Sequence, residues 1–314
     1  MKKKNIYNKG LIIGPSGIGA VHLREFIRNG INEIAFIGKS SSKKRSFNIN
    51  LNKSKEIKII NLENIRNVKN FKPDITSICS PFKEHLSHIM KCKNFSKFLI
   101  VEKPFLWSAK HLKGYKNFDI SKNLLIKSKG KIAVNLPMVS LANQLILKKE
   151  TPQKLKSFKF CYFTKGTQVK KNIAVDLLPH ALSFLFTIYN KKNYNVKIIN
   201  LVEKKNNWSC RVKIDEILCI FKFTQDKSAK KSILMFDLNK NKYKRFQKVI
   251  RNEREDYLLK NKKIKLFFKN PMVKYLHYLL TNFKKSNKIL ENNRLVLKIT
   301  KIKEQLLNFK EIKI

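Results

Sequence analysis

The amino-acid sequence predicts an α/β protein of two domains. Residues 1–128 read as a doubly wound parallel sheet, and residues 129–314 as an α+β domain built on a mainly antiparallel open sheet. Three observations carry this reading. The N-terminal part alternates short apolar runs with helical stretches, the rhythm of a parallel sheet covered on both faces. The second half holds longer β-rich runs lying close together, as antiparallel neighbours do. At 314 residues the chain is long enough for each part to bury its own core.

Taken in order, the strand-like runs of the first half are residues 11–13, 34–37, 57–60, 75–79 and 98–101, with helices over 21–27 and 85–92. An open sheet of this kind binds ligands outside the carboxyl ends of its strands. Three loops fall at such ends: Gly14-Pro-Ser-Gly-Ile-Gly19, Ser80-Pro81 and Glu102-Lys103-Pro104. In the second half, strands are expected over 157–163, 196–202, 211–223 and 232–236, and helices over 175–189, 272–284 and 294–309. In the last helix Leu295, Ile299, Ile302, Leu306 and Phe309 recur at helical spacing and form a core stripe. Residues 224–270 are rich in Lys and Asn and poorly periodic, which predicts a mobile or irregular excursion. There is no internal repeat.

Composition narrows the class. With 43% hydrophobic residues the chain is no disordered polyelectrolyte. Five scattered cysteines (Cys79, Cys92, Cys161, Cys210, Cys219), never spaced C-x-x-C, argue against a zinc site or a disulfide framework. They fit a reducing compartment, so a cytoplasmic protein is expected and no metal. No apolar run reaches the roughly 18 residues of a membrane span. Met1-Lys-Lys-Lys4 ahead of residues 11–21 imitates a signal peptide, but that stretch holds three glycines and a proline and reads as the first strand and turn of a folded domain. Sixty-nine Lys+Arg against 21 Asp+Glu leave +48. Spread rather than clustered, and without interleaved stacking aromatics, this charge reads as compositional drift and not as a dedicated nucleic-acid site.

The glycine-rich turn carries chemistry. A pyrophosphate needs backbone N–H groups it can approach closely, at a helix N-terminus whose partial positive charge suits an anion. Gly14, Ser16 and Gly19 occupy the key positions of G-x-G-x-x-G, with Gly17 and Ile18 completing the turn between strand and helix. A dinucleotide cofactor is therefore expected. The short-chain dehydrogenases carry a related turn, but their chemistry needs a tyrosine four residues before a lysine, and none of the nine tyrosines has one. After Ile37 the chain runs Gly38-Lys39-Ser40-Ser41-Ser42-Lys43, with no carboxylate for ribose hydroxyls. Lys39 and Ser40 suit a 2′-phosphate, so NADP is expected, with NAD as the alternative.

Hydride transfer at a carbon bearing oxygen needs a proton to reach or leave that oxygen. Lys103, fixed between a strand and Pro104, can stabilise a developing alkoxide. His180 is a natural proton carrier, and Asp176 shares its helical face at a spacing of four residues.

In order, Gly14-x-Ser16-x-x-Gly19-x-x-His22, Ser80-Pro81-x-x-x-His85, Glu102-Lys103-Pro104 and Asp176-x-x-x-His180 resemble the Gfo/Idh/MocA oxidoreductases over essentially the whole chain. The resemblance implies a Rossmann domain followed by an α/β domain whose open sheet meets substrate or a partner subunit, hence a homo-oligomer. It implies hydride exchange between NAD(P) and a sugar, nucleotide sugar, polyol or related small molecule. By the same resemblance Lys103 and His180 are acid/base residues with Asp176 as helper. Ser80, Pro81, His85 and Glu102 line the cofactor pocket, and Asn135 touches substrate. Leu178 and Pro137 stand where many members carry glycine and arginine, which leaves the substrate class open. A family member that keeps the cofactor but has lost turnover, acting as sensor or assembly subunit, is the second expectation.

Overall fold

The computed structural model describes residues 8–38, 57–108, 110, 116–250 and 253–309. The chain divides into two compact units, each assembled from separated stretches. The first takes Met1–Ser108, Ile120–Asn135 and Leu276–Arg294; the second takes Ala109–Asp119, Leu136–Tyr275 and Leu295–Ile314.

In the first unit the elements run β1 (Lys9–Ile13), α1 (Ile18–Arg28), β2 (Glu33–Ile37), β3 (Lys58–Asn61), α2 (Val68–Phe71), β4 (Ile75–Ile78), α3 (His85–Cys92), β5 (Phe98–Glu102), α4 (Lys116–Lys127) and β6 (Ile132–Asn135). All six strands are parallel, in the order β3-β2-β1-β4-β5-β6. The order reverses between β1 and β4, which makes their carboxyl ends the switch point where such sheets hold ligands. The central strands read as unbroken apolar runs because helices cover both faces; Leu11, Ile34, Ile75, Ile78 and Ile100 are all 0% exposed. Helix α1 buries His22, Leu23, Phe26 and Ile27, a stripe at i, i+1, i+4 and i+5 that lies on the sheet. The helix ends where Asn29 N–H returns to Glu25 O and Gly30 takes a left-handed φ of 83°.

The second unit holds α5 (Pro137–Leu147), β7 (Ser157–Lys165), α6 (Lys171–Ile188), β8 (Val196–Lys204), β9 (Asn207–Ile214), β10 (Ile217–Asp226), β11 (Ile233–Leu238), β12 (Asn241–Ile250), β13 (Glu253–Lys260) and β14 (Ile264–Phe268). Two helices close the chain, α7 (Pro271–Asn282) and α8 (Ser286–Asn308). The sheet has eight strands in the order β14-β13-β12-β11-β7-β10-β9-β8, antiparallel except for the β7–β10 pair. Alternate residues of β10 (Ile217, Cys219, Phe221, Phe223, Gln225) are buried, the period-2 mark of a half-covered sheet. Helix α6 lies on that face. Phe184 sits 5.9 Å from Phe158 and 4.7 Å from Phe236, ring centre to ring centre, and all three are at most 1% exposed.

Two sequence expectations are overturned here. The run 211–223 is two strands, β9 and β10, joined at Asp215-Glu216. Asp215 is the turn's one mark in the sequence, with no Gly, Pro or Asn beside it. It takes φ 51° and anchors the corner by accepting the Asn195 N–H at 2.8 Å.

The second correction concerns residues 224–270, expected to be irregular. They carry the strands β11 to β14. In β12 and β14, Lys242, Lys244 and Lys265 take exposed outward positions, while Tyr243, Leu258 and Phe268 point to the covered face. Lysine stems replace apolar residues along the pleat: Lys265 Nζ lies 4.3 Å from the Tyr257 ring centre and 4.7 Å from that of Phe267. The turns use Asn239, Asn261 and Lys262 at positive φ. Asparagine, which looked like disorder, is turn chemistry.

Among the described residues no helix is long and apolar enough to cross a membrane, and no cluster of His, Cys, Asp or Glu is placed to hold a metal. All five cysteines are free; Cys92, Cys210 and Cys219 are buried, and burial drives the Cys92 and Cys210 thiols up to about 12. They serve as small apolar side chains, as the sequence suggested.

Candidate active site

The turn after β1 is shaped by glycine at two positions. Gly14 has φ +81° and donates its N–H to Ile37 O at 2.9 Å; a Cβ there would stand 2.9 Å from the Cys79 backbone. Gly19 is tighter still, since a Cβ would lie 2.0 Å from Gly14 O. Its N–H closes the turn onto Ser16 O at 3.0 Å. Gly17 caps α1 at φ +55° with open space around it and no side chain bonding the first-turn amides. Ser16 is exposed and Ile18 half-buried. Helix donors without a side-chain cap, above a cradle that a single methyl group would fill, fit a pyrophosphate. Lys39 and Ser40, expected near the ribose, lie outside the described residues.

Beyond β4, Ser80 is 8% exposed and its Oγ meets His88 Nδ1 at 2.8 Å, while Pro81 stands exposed. His85 is 1% exposed, and both ring nitrogens meet backbone carbonyls: Nε2 lies 2.9 Å from Ser80 O, and Nδ1 3.0 Å from Phe105 O and 3.1 Å from Pro104 O. One imidazole therefore ties the Ser80-Pro81 loop to the loop after β5. Burial pushes its pKa below the usual histidine value, against the pull of those carbonyls.

At the end of β5, Glu102 is 6% exposed and Lys103, the next residue, is half-buried. Glu102 Oε1 meets His22 Nε2 at 2.8 Å and accepts the Asn135 amide at 2.6 Å. His22 Nδ1 in turn meets Ser77 Oγ. His22, Ser77 and Asn135 are each 0% exposed. Burial by itself would drive the Glu102 carboxyl upward. The His22 hydrogen bond and charge, the Asn135 amide and the Lys103 ammonium outweigh it and hold the group below its ordinary value.

In the second unit, α6 carries Asp176 and His180. Asp176 Oδ2 accepts the Gln225 amide at 2.7 Å. His180 is 9% exposed and meets the Tyr162 ring edge-on at 5.6 Å. Gln225, 3% exposed at an inward position of β10, also accepts the Gln168 N–H at 2.9 Å and so holds the segment leading into α6. Gly166 is fitted against it, since a Cβ there would meet Gln225 Oε1 at 2.2 Å.

Residues 9–125 match the family model described as oxidoreductase family, NAD-binding Rossmann fold, of Gfo/Idh/MocA. This stretch is similar to the NAD-binding domain of the Gfo/Idh/MocA oxidoreductases. No curated protein matches the sequence. Solved structures extend the likeness of fold over both units. A dehydrogenase from Clostridium difficile is 13% identical with a TM-score of 0.63, covering 97% of this chain and 99% of its own. A dehydrogenase from Thermus thermophilus, in complex with NAD and UDP-GlcNAcA, is 12% identical with a TM-score of 0.62, covering 97% and 96%. A 3-ketoreductase from Actinomadura kijaniata, in complex with TDP-benzene and NADP, is 10% identical with a TM-score of 0.65, covering 94% and 95%.

The first unit places Gly14, Ser16, Gly17, Ile18, Gly19, Ser80, Pro81 and Lys103 in the segments that follow β1, β4 and β5. Asp176 and His180 share one helix of the other unit. His85 at the start of α3, Glu102 at the end of β5 and Asn135 at the end of β6 are buried. Ser77, Gln225 and Tyr162 escaped sequence reasoning, and His22 entered only as a motif position. Their common signal is faint: a polar residue at a position whose periodicity calls for an apolar one.

Proposed function

We propose that this protein is an NADP-dependent oxidoreductase, with NAD as the alternative cofactor, acting on the CH–OH group of a sugar, nucleotide sugar or related polyol in carbohydrate metabolism. One observation carries the reading: the Gly14–Gly19 cradle and the Glu102-Lys103-Pro104 loop stand at the switch-point edge of a single parallel sheet. The NAD and UDP-GlcNAcA named for one structural neighbour, and the NADP and TDP-benzene named for another, support this reading.

In this reading Gly14, Ser16, Gly17, Ile18 and Gly19 hold the pyrophosphate with backbone N–H groups, and Lys39 and Ser40 hold the 2′-phosphate. Ser80, Pro81, His85 and Glu102 shape the pocket wall. Bound nicotinamide would supply the hydride chemistry. Lys103 and His180 are the acid/base residues, with Asp176 as the helper of His180. Asn135, expected against substrate, is buried with its amide on Glu102, and we assign it to holding that carboxylate. The dinucleotide domain is residues 1–128, and residues 129–314 bind substrate and assemble a cytoplasmic homo-oligomer.

The test is direct. NADPH and NADH are titrated by fluorescence, then a panel of sugars, polyols and nucleotide sugars is screened at the nicotinamide absorbance band. Lys103→Ala and His180→Ala are each expected to lose turnover by roughly 100-fold or more while folding and binding cofactor. Normal turnover in Lys103→Ala sinks the mechanism. Tight cofactor binding with no turnover across the panel points instead to a sensor or assembly subunit.

A further inference from the structure

We propose that the cleft between α3 and α4 of the first unit binds a free anionic amphiphile, an unbranched acyl chain of medium length with a charged head. The cleft lies apart from the site described above and does not depend on the functional reading.

It arises from the way two neighbouring crossovers end. Helix α3 runs into β5 and α4 into β6, and those strands are parallel neighbours, so both helices end at the amino edge of the sheet. The Gly14–Gly19 cradle stands at the opposite, carboxyl edge. Leu86 and Met90 line the cleft from α3, and Ile120 and Leu124 from α4, each pair one helical turn apart. Leu99 and Ile132, 1% and 2% exposed at the starts of β5 and β6, form its floor. Interior packing would ordinarily close a seam between two helices on one sheet. Here it stays open, with a volume of about 510 Å³ that falls in the range of small-molecule sites, and Met90 is left 47% exposed.

The mouth has a different chemistry. Lys93, Lys127, Lys129 and Lys131 stand around it, from the segments where the helices end and the strands begin. No carboxylate lines the cleft, and among the described residues none of these four lysines is in an ion pair. The nearby Lys97, by contrast, has Asp74 at 2.6 Å. Helix-end carbonyls that could offset the cations are engaged by turn amides: Lys93 N–H returns to Ile89 O, Ser96 N–H to Cys92 O, Ser128 N–H to Leu124 O and Lys129 N–H to Ile126 O. An apolar trough that ends in uncompensated positive charge complements a hydrocarbon chain that ends in an anion. A flat bilayer does not reach a floor set between two helices, so the shape selects the free chain.

The test is calorimetric titration of the full chain, without cofactor, with octanoate, decanoate and 1-octanol at concentrations where none of them aggregates. Decanoate is expected to bind at one saturable site, roughly tenfold tighter than octanoate, because two further methylenes leave water. Octanoate should bind more tightly than 1-octanol, which has the same chain length and no charge. Met90→Glu puts a carboxylate on the exposed wall of the trough and should abolish all three isotherms. The double variant Lys129→Glu/Lys131→Glu should weaken decanoate roughly tenfold and leave 1-octanol unchanged. Absence of saturable decanoate binding overturns the proposal, as does binding that neither variant changes. Decanoate taken up at many sites without a plateau would belong to the general +48 surface, and binding only to phosphatidylglycerol vesicles to a membrane contact; either result overturns it as well. NADPH titrated into Met90→Glu should give the wild-type curve, so a failure of cofactor binding and a failure of this site are read separately.

Discussion

At the scale of single residues, the dinucleotide turn is governed by two different demands on glycine. At Gly19 the demand is steric, since a Cβ would collide with Gly14 O at 2.0 Å. At Gly17 it is conformational, with φ +55° but nothing within 4 Å. The two alanine variants should therefore separate. Gly17→Ala costs about 1–2 kcal/mol, the strain of a side chain at positive φ, and leaves the turn in place. Gly19→Ala forces the turn open, costs about 3 kcal/mol, and weakens NADPH binding by roughly 100-fold. Chemical denaturation and fluorescence titration of both proteins check this. Equal losses would mean that the cradle does not depend on the close approach of Gly14 and Gly19.

At the scale of elements, the parallel sheet is tied at its amino edge by Asp74, ahead of β4. Its carboxylate accepts the N–H groups of Asn8 and Lys9 at 2.8 and 3.0 Å and pairs with Lys97 at 2.6 Å. Partial burial raises its pKa, but Lys97 and those two amides outweigh burial and leave it below the ordinary 3.8. A depressed carboxylate contributes stability that is present above its unfolded value and disappears as pH falls through the folded one. Asp74→Asn should therefore be less stable than the wild type at neutral pH, and the gap should close below about pH 3.8. Urea midpoints measured at both ends of that range would show it; a gap that persists in acid would assign the effect to shape and not to charge. The same scale explains the lysine-rich strands. In β12 to β14 their pattern in sequence is thin, because among the described residues the buried apolar positions are Tyr243, Leu258 and Phe268, while the Lys265 stem lies along the other face beside Tyr257.

For the whole molecule, two surfaces matter. The net charge of +48 is spread over the chain and favours contact with polyanions of any sequence, an interaction that salt screens. The uncovered face of the large sheet is more specific. Cys161, Met235, Phe246, Tyr257 and Phe267 share it by register, with Met235 41% and Phe267 54% exposed. Phe246 stacks on Tyr257 at 5.3 Å, and Phe267 lies tilted to Tyr257 at 6.2 Å. An aromatic row of this kind suits the proposed homo-oligomer. Phe267→Asp should reduce the mass seen by light scattering while shifting unfolding by no more than about 0.5 kcal/mol, as an exposed site allows. An unchanged mass would remove this face from any assembly.

How much was legible in the sequence follows from range. Local pattern carries local structure: the apolar runs flanking residues 14–19 made the first strand, turn and helix readable, and the strand-ending Glu102-Lys103-Pro104 placed a lysine at a sheet edge. Asp176 and His180 were readable as one helix face because four residues make one turn. The same logic failed wherever the deciding contact was distant or unmarked. The Asp215-Glu216 corner is marked by a lone Asp between two apolar runs, and β6, α4 and α5 lay in stretches whose periodicity was too short to assign.

By itself the sequence determined a parallel sheet with a glycine cradle at its edge, because hydrophobic period and glycine sterics act over a few residues. Only the tertiary structure decided what stands behind that edge. His22 reaches Glu102 across 80 residues, and Gln225 reaches Asp176 across 49. No periodicity encodes such pairings. They exist because crossover connections bring distant strand ends and helix faces together, where a buried polar group must find a partner that the local chain does not contain.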